Sequence, residues 1–277
     1  SPPSTTAATP SGMLADGLTP ETLAAAFAAS AAIPGEDTHG LEQRLETLLA
    51  LIRDRKLPFS LSDAEAEINA WRAAGYPACH HSDAYRAAYR PAYRVLHKRY
   101  VRLLPLLAAI DHALASKPRV LLAVEGGSAS GKSTLADLLA GLYPDSAVFH
   151  ADDFFLRPEQ RTEARYAQPG GNLDRERLET GILIPLSRGE NPESRPFDCR
   201  PMSLAAPQHS LHPELERRYD LSVFLEISPE TQRRRVLERN GPEWGQRFFE
   251  RWIPLENTYH EATRTAERCT LRLEEEP

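Results

Sequence analysis

The stretch RVLLAVEGGSASGKSTLADLLAGLY, Arg119–Tyr143, decides the fold. It begins with apolar residues that predict a buried strand and ends with an amphipathic pattern that predicts a helix. Between them, residues 126–133 match the pattern G-x-x-x-x-G-K-[ST] at every fixed position. A strand directly before this pattern and a helix directly after it are the context that the pattern requires. A glycine turn with an incidental lysine would need neither.

The residue types of this loop suit the binding of phosphate. Small residues let successive backbone N–H groups curl around an anion, and the following helix points its positive end at the same group. Lys132 would reach the β- and γ-phosphates, and the Ser133 hydroxyl would take one Mg²⁺ position. We therefore expect ATP and Mg²⁺ as cofactors. The expected cofactor-binding residues of the loop are Gly126, Gly127, Ser128, Ala129, Ser130, Gly131, Lys132, Ser133 and Thr134.

A second, acidic element follows the loop in the segment HADDFF, His150–Phe155. We predict a strand over residues 146–155, and the carboxyl ends of neighbouring parallel strands open onto one crevice. Asp152 or Asp153 would then face the γ-phosphate. Such a carboxylate accepts the proton of an attacking hydroxyl group or holds Mg²⁺ through water. The alternative is an aspartate pair that caps a helix or turn.

Arginines follow on the predicted helix QRRRVLERNG. Phosphoryl transfer spreads negative charge over the equatorial oxygens, and planar guanidinium groups suit that charge. Arg235 and Arg239 are four residues apart and share a face. We expect one or two arginines of this helix to contact phosphate.

Predicted strands and helices alternate after residue 118. Strands are expected over residues 120–125, 146–155, 220–228 and 270–274. Continuous apolar strands between helices indicate a parallel sheet covered on both faces. The expected fold class is α/β: a P-loop NTPase with a three-layer parallel sheet flanked by helices and an added N-terminal helical region.

Helical patterns precede this region. Residues 21–32 predict a short helix, and the leucines from Leu41 to Leu49 lie on one face of another. Ser62, with Glu65 three residues later, has the spacing of a helix N-cap. The expected domains are a disordered or loosely ordered segment (1–40), a helical extension (41–117) and the domain of the phosphate loop (118–277).

Residues 81–117 predict a long helix, kinked at Pro91 and Pro105, with tyrosines four residues apart and arginines beside them. Aromatic and arginine side chains suit single-stranded nucleic acid. The same spacing also suits a helix that packs on a neighbouring domain, which we favour because the chain of 277 residues carries a net charge of −6. The side chains in question are Tyr85, Tyr89, Tyr93, Arg86, Arg90 and Arg94.

The composition limits the kinds of partner and the cellular location that we expect for the protein. The negative charge argues against general binding to nucleic acid or to anionic membranes, and no apolar run approaches the roughly 18 residues of a membrane span. Three widely spaced cysteines favour a reducing cytoplasm. We expect a small-molecule acceptor as the partner, and homo-oligomerisation stays open.

The segments GGSASGKST, HADDFF and RRRVLERNG together resemble the group of P-loop kinases that contains uridine kinases, phosphoribulokinases and nicotinamide riboside kinases. The resemblance covers residues 119–273. It implies that Asp152 is the catalytic base and Mg²⁺-binding carboxylate beside Lys132, and that the arginine helix is a lid. The stretch R-W-I-P-x-E-N-x-Y at residues 251–259, with the helical extension, is similar to proteins called uridine kinase-like. The substrate residues that the resemblance implies are Asp153, Phe155, Tyr166, Phe197 and Asp198.

The sequence departs from this group in three places. Ala167 stands where uridine kinases place a ribose-binding aspartate, and Asp174 lies nearby at another position. Only RPMSLAAPQH separates Cys199 from Ser210, where the group has a further strand. Either the sheet has lost that strand or residues are absent there, and we favour absent residues because a central strand contributes much of the buried core. The N-terminal helical region is an addition to simple uridine kinases.

Together these observations predict an ATP-dependent kinase that transfers the γ-phosphate to a hydroxyl group of a nucleoside or another ribose-like acceptor. The alternative is a regulatory P-loop NTPase or binding module that acts through a protein partner. A nucleic-acid-dependent ATPase that uses the tyrosine and arginine helix is a third reading.

Overall fold

The computed structural model describes residues 10–33, 38–77, 80–90, 96–192 and 211–274. Contacts between Cα atoms divide the chain into two compact units, residues 1–29 with 96–277 and residues 30–95. This division differs from the three segments expected from the sequence, and those segments stay a prediction. Among the described residues, no helix combines the length and apolar character that crossing a bilayer requires.

The described part of the first unit is rich in helices around a small parallel sheet. Its three strands are β1 (Leu122–Gly126), β2 (Leu221–Leu225) and β3 (Leu271–Leu273), in the order β1-β2-β3. Val124 of β1 lies opposite Val223 of β2, which lies opposite Leu271 of β3. The helices are α1 (Pro10–Ala15), α2 (Pro20–Ala31), α6 (Lys98–Leu114), α7 (Lys132–Leu142), α8 (Glu163–Tyr166), α9 (Arg175–Leu178), α10 (Ile184–Ser187), α11 (Pro229–Arg247), α12 (Ile253–Thr263) and α13 (Thr265–Arg268).

Three of the four predicted strands have a counterpart, and the α/β character is thereby confirmed at the level of a helix-rich chain with a parallel sheet. The prediction of a strand over residues 146–155 is wrong. Residues 146–150 form no regular structure, and Ala151–Phe154 form a 3₁₀ helix. Val148 and Phe149 are exposed, whereas Phe154 is buried against a core cluster that includes Leu173 and Ile182.

Arg177 explains this local conformation. Its guanidinium group lies over the Phe154 ring, 4.6 Å from the centroid, and donates hydrogen bonds to the carbonyl oxygens of Asp153 (2.9 Å) and Phe155 (3.3 Å). These bonds satisfy backbone acceptors that a sheet ladder would otherwise have to satisfy.

Residues 248–268 form several short helical elements and not one long helix. A π-helical turn, Phe248–Trp252, joins α11 to α12. Gly241 interrupts α11 with φ 73° and ψ 172°, beside Pro242. Proline cannot supply a helical N–H group and crowds the preceding turn, which explains the kink.

The second unit contains α3 (Thr38–Arg53), α4 (Leu61–Ala73) and α5 (Asp83–Tyr89). Leu45 and Leu49 of α3 pack with Ile68 of α4, as the leucine pattern predicts. The N-cap of α4 is Ser60, whose hydroxyl accepts from the Asp63 N–H group, so the prediction of Ser62 is wrong by two residues. Tyr85 and Tyr89 of α5 are exposed, and the centroids of their rings lie 4.7 Å apart. The proposed kink at Pro91 and the side chains of Tyr93 and Arg94 lie outside the described residues.

A buried carboxylate links three helices within the first unit. Asp111 of α6 accepts hydrogen bonds through Oδ2 from the N–H (2.8 Å) and hydroxyl (2.9 Å) groups of Thr19. Its Oδ1 accepts from the hydroxyl groups of Thr22 (3.0 Å) and Tyr143 (2.8 Å). Burial raises the pKa of Tyr143 above its ordinary value, and the bond to Asp111 adds to that rise. One side chain therefore holds the start of α2, the last turn of α6 and the end of α7 together.

Asp111→Ala should lower the free energy of unfolding by about 2–4 kcal/mol, because it leaves buried hydroxyl groups without their shared acceptor. Asp137→Ala, at an exposed position of α7, is the control and should change the free energy by less than about 0.5 kcal/mol. Urea denaturation followed by circular dichroism measures both. A loss below about 1 kcal/mol in Asp111→Ala would contradict this role.

Candidate functional site

The loop between β1 and α7 has the backbone conformation that its small residues permit. Gly126 has φ 143°, Ala129 φ 61° and Gly131 φ 100°. A Cβ atom at Gly126 would lie 2.7 Å from the carbonyl oxygen of Leu225 and 2.7 Å from Ser130 Oγ. Glycine is therefore required there both by the close approach of β2 and by its positive φ.

Lys132, the first residue of α7, folds back into this loop. Its Nζ donates hydrogen bonds to the carbonyl oxygens of Gly126 (2.7 Å) and Gly127 (2.9 Å). Burial lowers the pKa of Lys132, while the carboxylates of Glu256, Glu125 and Asp152 oppose that shift. The loop thus encloses a cation that faces three carboxylates.

The first turn of α7 presents hydroxyl groups and backbone donors. Ser133 and Thr134 are exposed there, and they belong to a helix of 11 residues. The first N–H groups of a helix have no partner within it and carry its positive end. The hydroxyl group of Ser130 is buried and makes no hydrogen bond within the described part of the chain.

Three side chains from the C-terminal helices hold the tip of the loop. Glu256 of α12 accepts hydrogen bonds from the N–H group of Ser128 (2.7 Å) and from its hydroxyl group (2.6 Å). Gln232 of α11 donates to the carbonyl oxygen of Ser128 at 3.0 Å. Arg235 of α11 donates to the carbonyl oxygen of Ala129 at 3.3 Å. Three successive peptide groups at the tip are therefore held by residues more than 100 positions away in sequence.

The two arginines expected at the site both lie near it, in different ways. Arg235 reaches the loop directly through Ala129. Arg239 stacks on the Phe248 ring, 5.5 Å from the centroid, and its charge acts on both Lys132 and Glu256. Arg233 instead lies over the Phe249 ring at 4.6 Å.

The acidic segment reaches the same lysine without a strand. Asp152 is partly buried in the 3₁₀ helix, and its charge raises the pKa of Lys132. Asp153 is partly buried beside it. Its backbone carbonyl oxygen accepts a hydrogen bond from Arg177.

The remaining expected substrate residues are dispersed. Phe155 is buried, with 8% of its surface exposed, and forms an antiparallel bridge with Leu173. Tyr166, on α8, is 53% exposed. Phe197 and Asp198 lie outside the described residues, as does the segment between Cys199 and Ser210 where residues were expected to be absent.

Sequence reasoning missed two carboxylates at this site. Glu125 is 1% exposed at the end of β1 and accepts a hydrogen bond from the N–H group of Leu211. Glu256 is 2% exposed, and burial raises its pKa while the bonds from Ser128 oppose that shift. A glutamate inside the apolar run of β1 was a readable signal. For Glu256, the only signal in the sequence is its position within the R-W-I-P-x-E-N-x-Y stretch.

A cavity of about 800 Å³ runs beside β1 and α7. Lys132 and Ser133 line it, together with His150 and the apolar side chains of Val124 and Leu139. Among the described residues, no group of three or more His, Cys, Asp or Glu side chains is arranged to hold a metal ion.

Arg175 and His212 form a second buried polar group. Nη1 of Arg175 lies 2.9 Å from Nε2 of His212, and Nε of the same arginine pairs with Glu214 at 3.2 Å. Burial, with the charge of Arg175, lowers the pKa of His212 from 6.5 to about 4. His212 is therefore neutral near pH 7.

No protein-family model matches the chain, and no curated protein matches its sequence.

Gly126→Ala should destabilise the protein by about 2 kcal/mol or more, because the new methyl group meets two oxygen atoms at a strained φ. Gly141→Ala is the control, since a Cβ atom at this helical glycine meets nothing within 4 Å. It should stabilise the protein by about 0.5 kcal/mol. Thermal unfolding compares the two, and equal melting temperatures would refute the assigned loop geometry.

His212→Gln should flatten the dependence of stability on acid pH. Since the folded-state pKa lies below the ordinary value, the unfolded chain binds the proton first, and stability is lost as the pH falls from about 6.5 to about 4. Glutamine keeps an oxygen acceptor toward Arg175 and cannot take that proton. Urea denaturation at the two ends of this window should show a smaller loss in the variant. Equal losses would mean that His212 is not buried in its neutral form.

Proposed function

We propose that the protein is an ATP-dependent phosphotransferase of the P-loop NTPase fold that acts on an alcohol group. The observation that carries this proposal is the loop of residues 126–131, which curls around the Lys132 ammonium group and leads directly into α7. The composition of the loop, its left-handed residues and the helix behind it suit a phosphate chain. The resemblance to uridine kinase-like proteins adds support from the sequence.

The roles of the loop residues follow from their positions. Lys132 would exchange its bonds to the Gly126 and Gly127 carbonyl oxygens for bonds to phosphate, and the ammonium group is well placed because it faces the loop interior. The hydroxyl group of Ser133 would hold Mg²⁺ directly, and the carboxylate of Asp152 would hold it through water, together with the phosphates. When bound, Mg·ATP supplies the phosphoryl group and its activation.

Transfer to an acceptor hydroxyl group requires a base that takes its proton and residues that bind the acceptor beside the loop. We assign Asp152 as the base, since its charge already acts on Lys132. Asp153, Phe155, Tyr166, Phe197 and Asp198 stay the proposed substrate residues.

The acceptor itself is proposed to be a nucleoside or another ribose-like compound, and a cytoplasmic location stays a proposal from composition. Arg235 and Arg239 would steady the charge of the transferring group, since one already touches the loop and the charge of the other acts on Lys132. Movement of α11 at Gly241 would close the site and exclude water, which would otherwise accept the phosphate.

Two variants separate binding from chemistry. Lys132→Ala should weaken the binding of Mg·ATP at least about tenfold, because it removes the charge that pairs with the phosphates. Asp152→Asn should keep the affinity within about threefold and lower the rate of transfer at least about a hundredfold. Calorimetric titration and ADP release measure the two quantities. Near wild-type turnover in Asp152→Asn would refute its role as the base and make Asp153 the candidate.

A further inference from the structure

Glu256 places a buried carboxylate against the loop that is proposed to receive phosphate. Both of its oxygens accept hydrogen bonds from Ser128, at 2.7 Å and 2.6 Å, and only 2% of the residue is exposed. A Cβ atom at Gly127 would lie 3.8 Å from Glu256 Oε2, so the carboxylate lies close to two successive loop residues. A bound phosphate chain would bring further negative charge to this neighbourhood.

Charges of both signs surround this carboxylate. Lys132 of the loop and Arg239 of α11 face Glu256. Glu125 of β1 and Asp152 of the 3₁₀ helix also face Lys132, as does His260 of α12. With three carboxylates around one lysine, an anionic ligand at Lys132 makes the ionised form of at least one of them less favourable.

We propose that Glu256 is a positioning residue that makes nucleotide binding proton-linked: it holds the loop tip through Ser128 and takes up a proton when a phosphate chain binds at Lys132. This inference rests on the proposed function. A protonated carboxyl group keeps one acceptor for the Ser128 N–H group and gains an O–H donor for the Ser128 hydroxyl oxygen. The loop can therefore stay held while its negative charge is neutralised.

Glu256 is the carboxylate best suited to this role because it is buried and bonded directly to the loop tip. Burial is the largest influence on its pKa and raises it, and Lys132 and Arg239 only partly offset that rise. A ligand that adds negative charge raises the same pKa further. The carboxyl group then binds more protons in the complex than in the free protein, so affinity increases as the pH falls between the free and bound pKa values.

Glu256→Gln tests the charge while keeping the contacts, because the amide group can accept from the Ser128 N–H group and donate to its hydroxyl oxygen. The probe is Mg·ADP, titrated calorimetrically into the full chain at about pH 6 and about pH 8. At the higher pH the variant should bind more tightly than wild type, by about tenfold for each unit that binding raises the pKa of Glu256. At the lower pH this difference should shrink. Titration of the nucleotide itself is common to both proteins and cancels in the comparison.

Glu261→Gln, at an exposed position of α12, is the matched control and should behave as wild type. Glu256→Ala removes the hold on Ser128 as well as the charge, so it should bind Mg·ADP more weakly than Glu256→Gln at both pH values. Equal affinities of the alanine and glutamine variants would contradict the positioning role.

Proton uptake by the wild type gives a reading that needs no variant. Titration in two buffers of different ionisation enthalpy counts the protons bound with Mg·ADP. Uptake by Glu256 should decline toward alkaline pH, whereas uptake by Lys132, whose pKa burial lowers, would increase. The inference is overturned if proton uptake only increases toward alkaline pH. It is also overturned if the affinity of Glu256→Gln for Mg·ADP lies within twofold of wild type at the higher pH.

Lys132→Ala separates the two proposals. If Mg·ADP binds the wild type and this variant loses that binding, the phosphate site stands whatever Glu256 does. If Mg·ADP does not bind the wild type, the proposed function fails and this inference fails with it.

Discussion

The Lys132 ammonium group is the charge around which the candidate site is organised. It lies inside the loop between β1 and α7, where it donates hydrogen bonds to two carbonyl oxygens. Three carboxylates from separate parts of the chain also act on its charge. Burial by itself disfavours the charged form of a lysine, and these partners favour it. The close approach of β2 to Gly126, the position of the acidic 3₁₀ helix and the placement of Glu256 all serve this arrangement. The same charge is what a phosphate chain would bind.

The sequence predicts the local part of this site well and the distant part poorly. The strand, loop and helix of residues 119–143 follow from periodicity and from glycines that suit a left-handed backbone. The holding of Ser128 by Gln232 and Glu256 joins residues 104 and 128 positions apart. No propensity or periodicity encodes such a pairing, because it depends on how α11 and α12 pack.

The error at residues 146–155 has a specific cause. The apolar residues Val148 and Phe149 made the segment read as a strand, yet both are exposed. The buried residues are Phe154 and Phe155, five and six positions after Phe149. There Arg177 supplies the hydrogen bonds that a neighbouring strand would have given. The expectation that Asp152 approaches the loop rests on that strand. Its charge acts on Lys132 from the 3₁₀ helix instead.

ADP release from Mg·ATP, measured across a panel of hydroxyl acceptors, tests the central claim most directly. The panel contains nucleosides, nicotinamide riboside, pantothenate, glycerate and sugar phosphates. If the protein is a phosphotransferase with an acceptor site, we expect one compound to raise turnover at least about a hundredfold over the rate with water. Slow hydrolysis that no acceptor changes would contradict the account and favour a regulatory NTPase that acts through a protein partner.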